Sequence, residues 1–214
     1  LAETASWDLE AIEKSARVAA IEASALGINW TFAPMIDISR AARWGRVMEG
    51  AGVYPYLGSK VGVARIKGFQ GDDLSSHNTI AACAKHFAAY GFAESGKDYN
   101  TADIGTSTLY NVVLPPFKAA VEHDVKTVMN SFNVLNGIPA TADEFLQRDV
   151  LKKKWDFQGF VVSDWGSGRE MIDHGFARDL AHVAELAANA GSDMDMESYA
   201  FVKHLKSAVE DGKV

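Results

Sequence analysis

Short apolar runs, each about one strand long, alternate along this chain with longer stretches whose apolar residues recur at helical spacing. The first helical stretch covers 6–26. Ile12, Ala16, Ala19, Ala20 and Ala23 share a face, Ser6 and Asp8 are capping candidates, and Gly27 closes it. The apolar run at 28–36 predicts a strand whose inner part is limited by Pro34, which has no N–H for a ladder. A long, charged, glycine-punctuated loop follows over 37–55. The pattern then gives a helix over 56–69, a buried strand over 80–85 and a second long loop over 86–105. A helix over 106–123 contains Pro115 and Pro116, so a kink or break is expected there. Next come a strand at 125–131, a loop at 132–141 containing Asn136-Gly137, and a helix at 142–154. Phe160, Val161 and Val162 form a glycine-bounded apolar run, the pattern of a strand covered on both faces. A loop to 178, a helix at 179–190, a short strand near 192–196 and a helix at 200–211 complete the series.

Connections of this length between successive strands demand parallel pairing with right-handed crossovers. Such a series builds either a doubly wound sheet or a barrel. No G-x-G-x-x-G follows the first strand and no P-loop occurs. Polar residues gather after several strands rather than at one switch point. The expected fold class is therefore α/β, an incomplete (β/α)8 TIM-like barrel, with 1–214 as a single domain. Barrels of this kind run to about 250 residues and eight units. A strand is thus expected to be missing at the N-terminal end, and the series stops short at the other. The chain opens on Leu1 without an initiator methionine and is expected to be a piece of a longer protein.

Composition narrows the function more than the fold. The chain is 48% hydrophobic and 23% charged, as ordinary globular proteins are. A formal charge of −7 gives no electrostatic footprint for nucleic acid, so a neutral or polar small ligand is the expected partner. No apolar run approaches a membrane span, and no membrane partner is expected. Cys83 is the only cysteine, which rules out a disulfide within the chain. Neither H-E-x-x-H, C-x-x-C nor G-x-S-x-G occurs, so no metal, cofactor or serine triad is expected.

The candidate chemistry lies where strands end. After 28–36 come Asp37, Arg40, Arg43, Trp44, Arg46 and Glu49; after 80–84, Lys85 and His86; after 125–131, Phe132 and Asn133. Asp164 and Trp165 follow the fourth strand and Glu197 follows the fifth. If the strands are parallel, these groups share one rim, the face on which barrel enzymes carry their chemistry. Asp164 leads as the acid for chemistry; the competing reading makes it a local cap. Arg, Lys and His donors around one carboxylate, with aromatics beside it, suit a hydroxyl-rich neutral ligand such as a sugar. Lys85 and His86 could instead pair with nearby carboxylates, and Glu49 could pair with Arg43 or Arg46. His123, His174, His182 and His204 are expected to face solvent.

Taken in order, Ala42-Arg43-Trp44-Gly45-Arg46, Glu49-Gly50, Pro55-Tyr56-Leu57, Lys85-His86-Phe87, Leu135-Asn136-Gly137 and Ser163-Asp164-Trp165 resemble glycoside hydrolase family 3. Lys97-Asp98-Tyr99-Asn100-Thr101 resembles its bacterial periplasmic β-glucosidase branch. The resemblance implies a retaining exo-β-glycosidase acting on terminal β-D-glucosyl residues through a covalent intermediate on Asp164. It implies that Arg46, Lys85, His86 and Trp165 line the sugar subsite. Phe132 stands where many members have a Tyr near the nucleophile. The resemblance further implies a periplasmic or secreted protein and an acid/base on a second domain, so that these 214 residues alone are expected to turn over little. Ala41, Val53 and Tyr54 depart from the family pattern. A non-catalytic carbohydrate-binding barrel and a Schiff-base aldolase using Lys85 are the competing functions.

Overall fold

The computed structural model describes all residues 1–214. Its centre is a parallel sheet of β1 (Cys83–Phe87), β2 (Thr127–Asn130) and β5 (Phe160–Val162), in the order β1-β2-β5. The sheet is extended by one segment on each side. Residues 30–35 run beside β1 and the residues just before it, through bridges at Trp30–Ala81 and Met35–Lys85, and Val162 bridges Met194 on the far side. All these pairings are parallel, which makes an open arc of a (β/α) barrel rather than a closed one. The strands expected at 28–36 and 192–196 are therefore found as irregular bridged segments. At the first of them Pro34 lacks the N–H that a continuous ladder needs.

Alternation along the strands separates two apolar faces. Ala82, Ala84, Val128 and Val161 point outward into the main core, where the helices supply Ile66, Phe69, Phe117, Leu146 and Leu151. Cys83, Met129 and Val162 point inward, with Trp30 and Met196 packed against them. Two inward aromatics, Phe32 and Phe160, remain 40% and 38% exposed because the arc is open on that side.

The helical layer follows the predicted pattern with local corrections. The stretch at 6–26 is two helices, α1 (Ala2–Ala5) and α2 (Leu9–Ala25). Asp8 caps α2 by accepting the Ala11 N–H at 2.9 Å, while Ser6 ends α1 instead. The helix α3 (Pro55–Gln70) packs on α2 so closely that a Cβ at Gly68 would fall 2.4 Å from the Glu13 carbonyl oxygen. The break expected at the prolines is present: α4 (Thr106–Thr108) runs into a wide turn over Leu109–Val113, and α5 (Pro115–Glu122) restarts with proline in its first turn.

Two segments expected as loops are ordered elements. Residues 134–139 form an antiparallel hairpin, β3 (Val134–Leu135) with β4 (Ile138–Pro139). Its turn is Asn136-Gly137, both at positive φ, which suits the right-handed twist of a tight hairpin. After the helical segment Phe145–Lys154 and β5, residues within the loop expected up to 178 form α6 (Ser167–Asp173). Gly166, at φ 70°, makes the sharp entry into it, so the run Gly166-Ser167-Gly168 opens a helix. The helix α7 (Leu180–Ala190), capped by Asp179, and α8 (Lys206–Glu210), continuing the turn Phe201–Leu205, cover the last segment. No helix is long and apolar enough to cross a membrane.

Candidate active site

Asp164 follows β5 by two residues, and alternation places it on the same inward face as Val162. It is 8% exposed. Its Oδ1 accepts the backbone N–H of Trp165 at 2.7 Å, which leaves Oδ2 as the less committed oxygen. That Oδ2 lies 3.4 Å from His86 Nε2. Ser163 points the other way and accepts the Met196 N–H at 2.8 Å, tying the strand end to the neighbouring segment.

His86 reaches the same point because β1 is irregular there. Lys85 pairs with Met129 and Phe87 with Asn130, so His86 is an extra residue in the register. Its ring is fully buried. Asp37, directly after the first bridged segment, holds it with one oxygen: Oδ2 is 2.8 Å from both the His86 backbone nitrogen and Nδ1. Arg46 Nη2 approaches the opposite ring nitrogen, Nε2, at 3.2 Å.

Arg46 is itself clamped by Glu49, whose two oxygens accept from Nε at 2.7 Å and Nη2 at 2.9 Å. This forked pairing raises the Arg46 pKa and lowers that of Glu49, in each case chiefly through the partner's hydrogen bond. The competing expectation for Glu49, a local pairing, is what the structure shows, and Arg46 is the partner. Lys85 lies within electrostatic reach of Glu49 and makes no side-chain ion pair.

An aromatic wall stands beside these groups. Tyr90 is fully buried against Trp44, His86 and Phe132, with ring centroids 4.9, 5.2 and 5.7 Å away. The Arg46 guanidinium lies over the Tyr90 ring at 5.4 Å. Tyr99 packs on Phe132 at 4.5 Å, and Trp44 Nε1 donates to Asp98 at 2.8 Å, which fastens the loop at 94–100 to the wall. Phe132 is thus a buried member of the wall, whereas Trp165 is 65% exposed at the rim. Burial raises the pKa of both Tyr90 and Tyr99, with Asp98 next for Tyr90 and Glu170 next for Tyr99, so both phenols stay neutral donors.

Of the residues expected on one rim, Asp164, His86 and Arg46 form one contact network, with Lys85, Trp165 and Phe132 around it. Two members had little or no signal in the sequence. Asp37 was legible as a strand-end acid, but nothing in the spacing paired it with His86. Glu170 has no signal in the sequence, because the pattern gives its segment as a loop. On α6 it is half-buried, with Oε2 shut off from water and without a hydrogen-bond partner. Burial, followed by Asp164, Asp173 and Asp98, pushes its carboxyl up to about 7. Of the expected solvent-facing histidines, His174 is exposed, yet its Nε2 is placed to donate to the Phe132 carbonyl oxygen at 3.3 Å.

Comparison with known proteins identifies the family. A family profile described as "Glycosyl hydrolase family 3 N terminal domain" matches residues 1–214. The periplasmic beta-glucosidase of Salmonella typhimurium is 43% identical over 209 residues, covering 98% of this chain and 27% of the relative. A beta-xylosidase of Formosa agariphila is 38% identical, over 92% of this chain and 28% of its own length. The crystal structure of a beta-glucosidase from Listeria innocua superposes with a TM-score of 0.95 at 44% identity, covering 99% of this chain and 30% of that one. The same Listeria enzyme has been solved with glucose, and a mutant of it with laminaribiose. The chain therefore spans less than a third of the length of the relatives it matches.

Proposed function

The chain belongs to glycosyl hydrolase family 3, and from that premise we propose that it is the nucleophile-bearing barrel of a retaining, exo-acting β-glycosidase that releases terminal β-D-glucosyl residues. The observation that supports this most is the setting of Asp164. It is a carboxylate at the C-terminal end of a parallel strand, with one oxygen held by the Trp165 N–H and the other beside His86 and Arg46. Oδ2 attacks the anomeric carbon as the bond to the leaving oxygen breaks, and that oxygen takes a proton from an acid. Water then attacks the same carbon as the deprotonated acid, now a base, takes its proton, and the Asp164–sugar bond breaks to return the carboxylate.

Arg46 and Lys85 supply donors to ring hydroxyls from the rim. The exposed face of Trp165 gives the apolar side of the sugar a surface. His86 contributes to the same subsite from beneath, through its ring nitrogen next to Asp164. Phe132 shapes the wall without touching the reacting atoms. We assign the acid/base to a second domain of the same protein, because this chain accounts for only 27–30% of relatives that bear enzyme names. A periplasmic location is the corresponding proposal, from the printed name of the Salmonella relative.

The test is covalent trapping in the full-length gene product. Incubation with a 2-deoxy-2-fluoro-β-glucoside should add one fluoroglucosyl group, and peptide mapping should place it on the fragment holding Asp164. An adduct on any other residue refutes the assignment.

A further inference from the structure

We infer that Asp37 is a positioning residue for this reaction: it fixes the tautomer and tilt of His86, and through His86 it sets Arg46 beside the nucleophile. The inference rests on the proposed role of Asp164. Asp37 is 2% exposed, and a buried carboxylate is costly unless its oxygens are well used. Here one oxygen takes two donors from a single residue, the backbone N–H and the ring Nδ1, both at 2.8 Å. This two-point grip fixes the side chain relative to its own backbone, at the position where β1 departs from regular register.

The grip has a chemical consequence. With its proton on Nδ1 and directed at Asp37, the neutral imidazole presents a lone pair at Nε2. Arg46 Nη2, at 3.2 Å, is placed to donate to that lone pair. Asp164 Oδ2 is 3.4 Å from the same nitrogen, longer than an ordinary N–H···O bond, and so is left without a ring donor. Its electrons stay available for the anomeric carbon. Without Asp37, the proton is free to move to Nε2. That nitrogen then repels the Arg46 N–H and donates toward Asp164, which displaces the cation and makes the carboxylate a poorer nucleophile. Asp37 touches neither sugar nor reacting atoms in this account. Its effect passes entirely through His86.

A double-mutant cycle in the full-length gene product tests this, using the rate of fluoroglucosyl adduct formation and the dissociation constant for glucose. Asp37→Ala should slow adduct formation by about 10–100-fold, the range found for carboxylates that orient metal-bound histidines. Glucose affinity should fall by less, because the loss is in attack rather than in contacts to sugar. Asp37→Asn keeps an accepting oxygen and should recover most of the rate. In a His86→Ala background, Asp37→Ala should add less than about twofold, since the residue it acts through is gone. Wild-type rate in Asp37→Ala, or the same fold-loss with and without His86, overturns the inference. If Asp37→Ala does not fold, the cycle is run with Asp37→Leu, which is close in volume and accepts no hydrogen bond: a loss that disappears without His86 supports the inference, and no loss or an unchanged one overturns it. Labelling of some other residue in the wild type counts against the proposed function. The glucose dissociation constants of the four proteins then still decide whether Asp37 and His86 act as one unit.

Discussion

Glu170 offers a sharp stability test because its carboxyl is placed where a charge is unwelcome. One oxygen is shut off from water and has no partner, and Asp164, Asp173 and Asp98 add negative charge around it. Its pKa is pushed up to about 7 from the ordinary 4.5, burial contributing most. Between those two values the folded protein keeps a proton that the unfolded chain has released. Stability is therefore whole below pH ~4.5 and is lost as pH rises through ~7. At about 1.4 kcal/mol per pH unit, the gap between the two values sets a ceiling of about 3 kcal/mol. The side chain is only half-buried, so water screens much of this and about 1 kcal/mol is the expected effect. Glu170→Gln removes the charge and nearly keeps the shape. Urea titrations of both proteins, followed by tryptophan emission, should show equal stability at pH 4.5 or below. At pH 8.5 the variant should be more stable by about 1 kcal/mol, or about 2–4 °C in Tm for a domain of this size. A difference that does not change with pH, or a variant less stable at pH 8.5, refutes the reasoning.

Three further outcomes follow from the geometry. Trp44→Phe removes the indole N–H that holds Asp98, whose exposed carboxylate then turns to water; it should cost about 0.5–1.5 kcal/mol in urea and increase proteolysis within 94–100. Gly91→Ala would put a Cβ 2.3 Å from the Ile38 carbonyl oxygen, so this variant should melt well below the wild type, by more than about 2 kcal/mol; an unchanged melt would show that the two loops can separate freely. Trp165→Ala should leave stability within about 0.5 kcal/mol, because the side chain is mostly exposed, while weakening glucose binding measured by calorimetry.

How much of this was legible in the sequence depended on range. The apolar runs at 80–85, 125–131 and 160–162 located the parallel strands, since burial on both faces leaves little freedom in composition. Strand-end position alone then brought Asp37, Arg46, His86 and Asp164 to one rim. What failed was local. Asn136-Gly137 carries a hairpin signal within a stretch the pattern gives as loop, and the stretch up to 178 gives no helical signal although Gly166 serves as a helix entry. The pairing of Asp37 with His86 could not be seen, because 49 residues separate them and their contact depends on a one-residue irregularity in β1. Such a bulge has no signature in an alternating pattern. It moves a side chain to the other face without changing its composition.

That irregularity also explains why the candidate site behaves as one body although its residues lie on loops. Three separate backbone devices aim the three groups: the extra residue at His86, the turn Val47–Glu49 behind Arg46, and the sharp start of α6 after Asp164. Each loop is fastened to another by main-chain or buried polar contacts. Arg40 N–H donates to the Gly91 carbonyl at 2.9 Å, Asp37 holds His86, and Ser163 holds Met196. Gly91 is the tightest of these joints, because no side chain fits between it and Ile38. A substitution there moves the 38–49 loop relative to β1, and with it Arg46 relative to His86. Displacements of about 1 Å at a reacting centre cost rate far out of proportion to their stability cost. The approach of two backbones at Gly91 is therefore as much a determinant of how Asp164 is presented as the side chains that touch it.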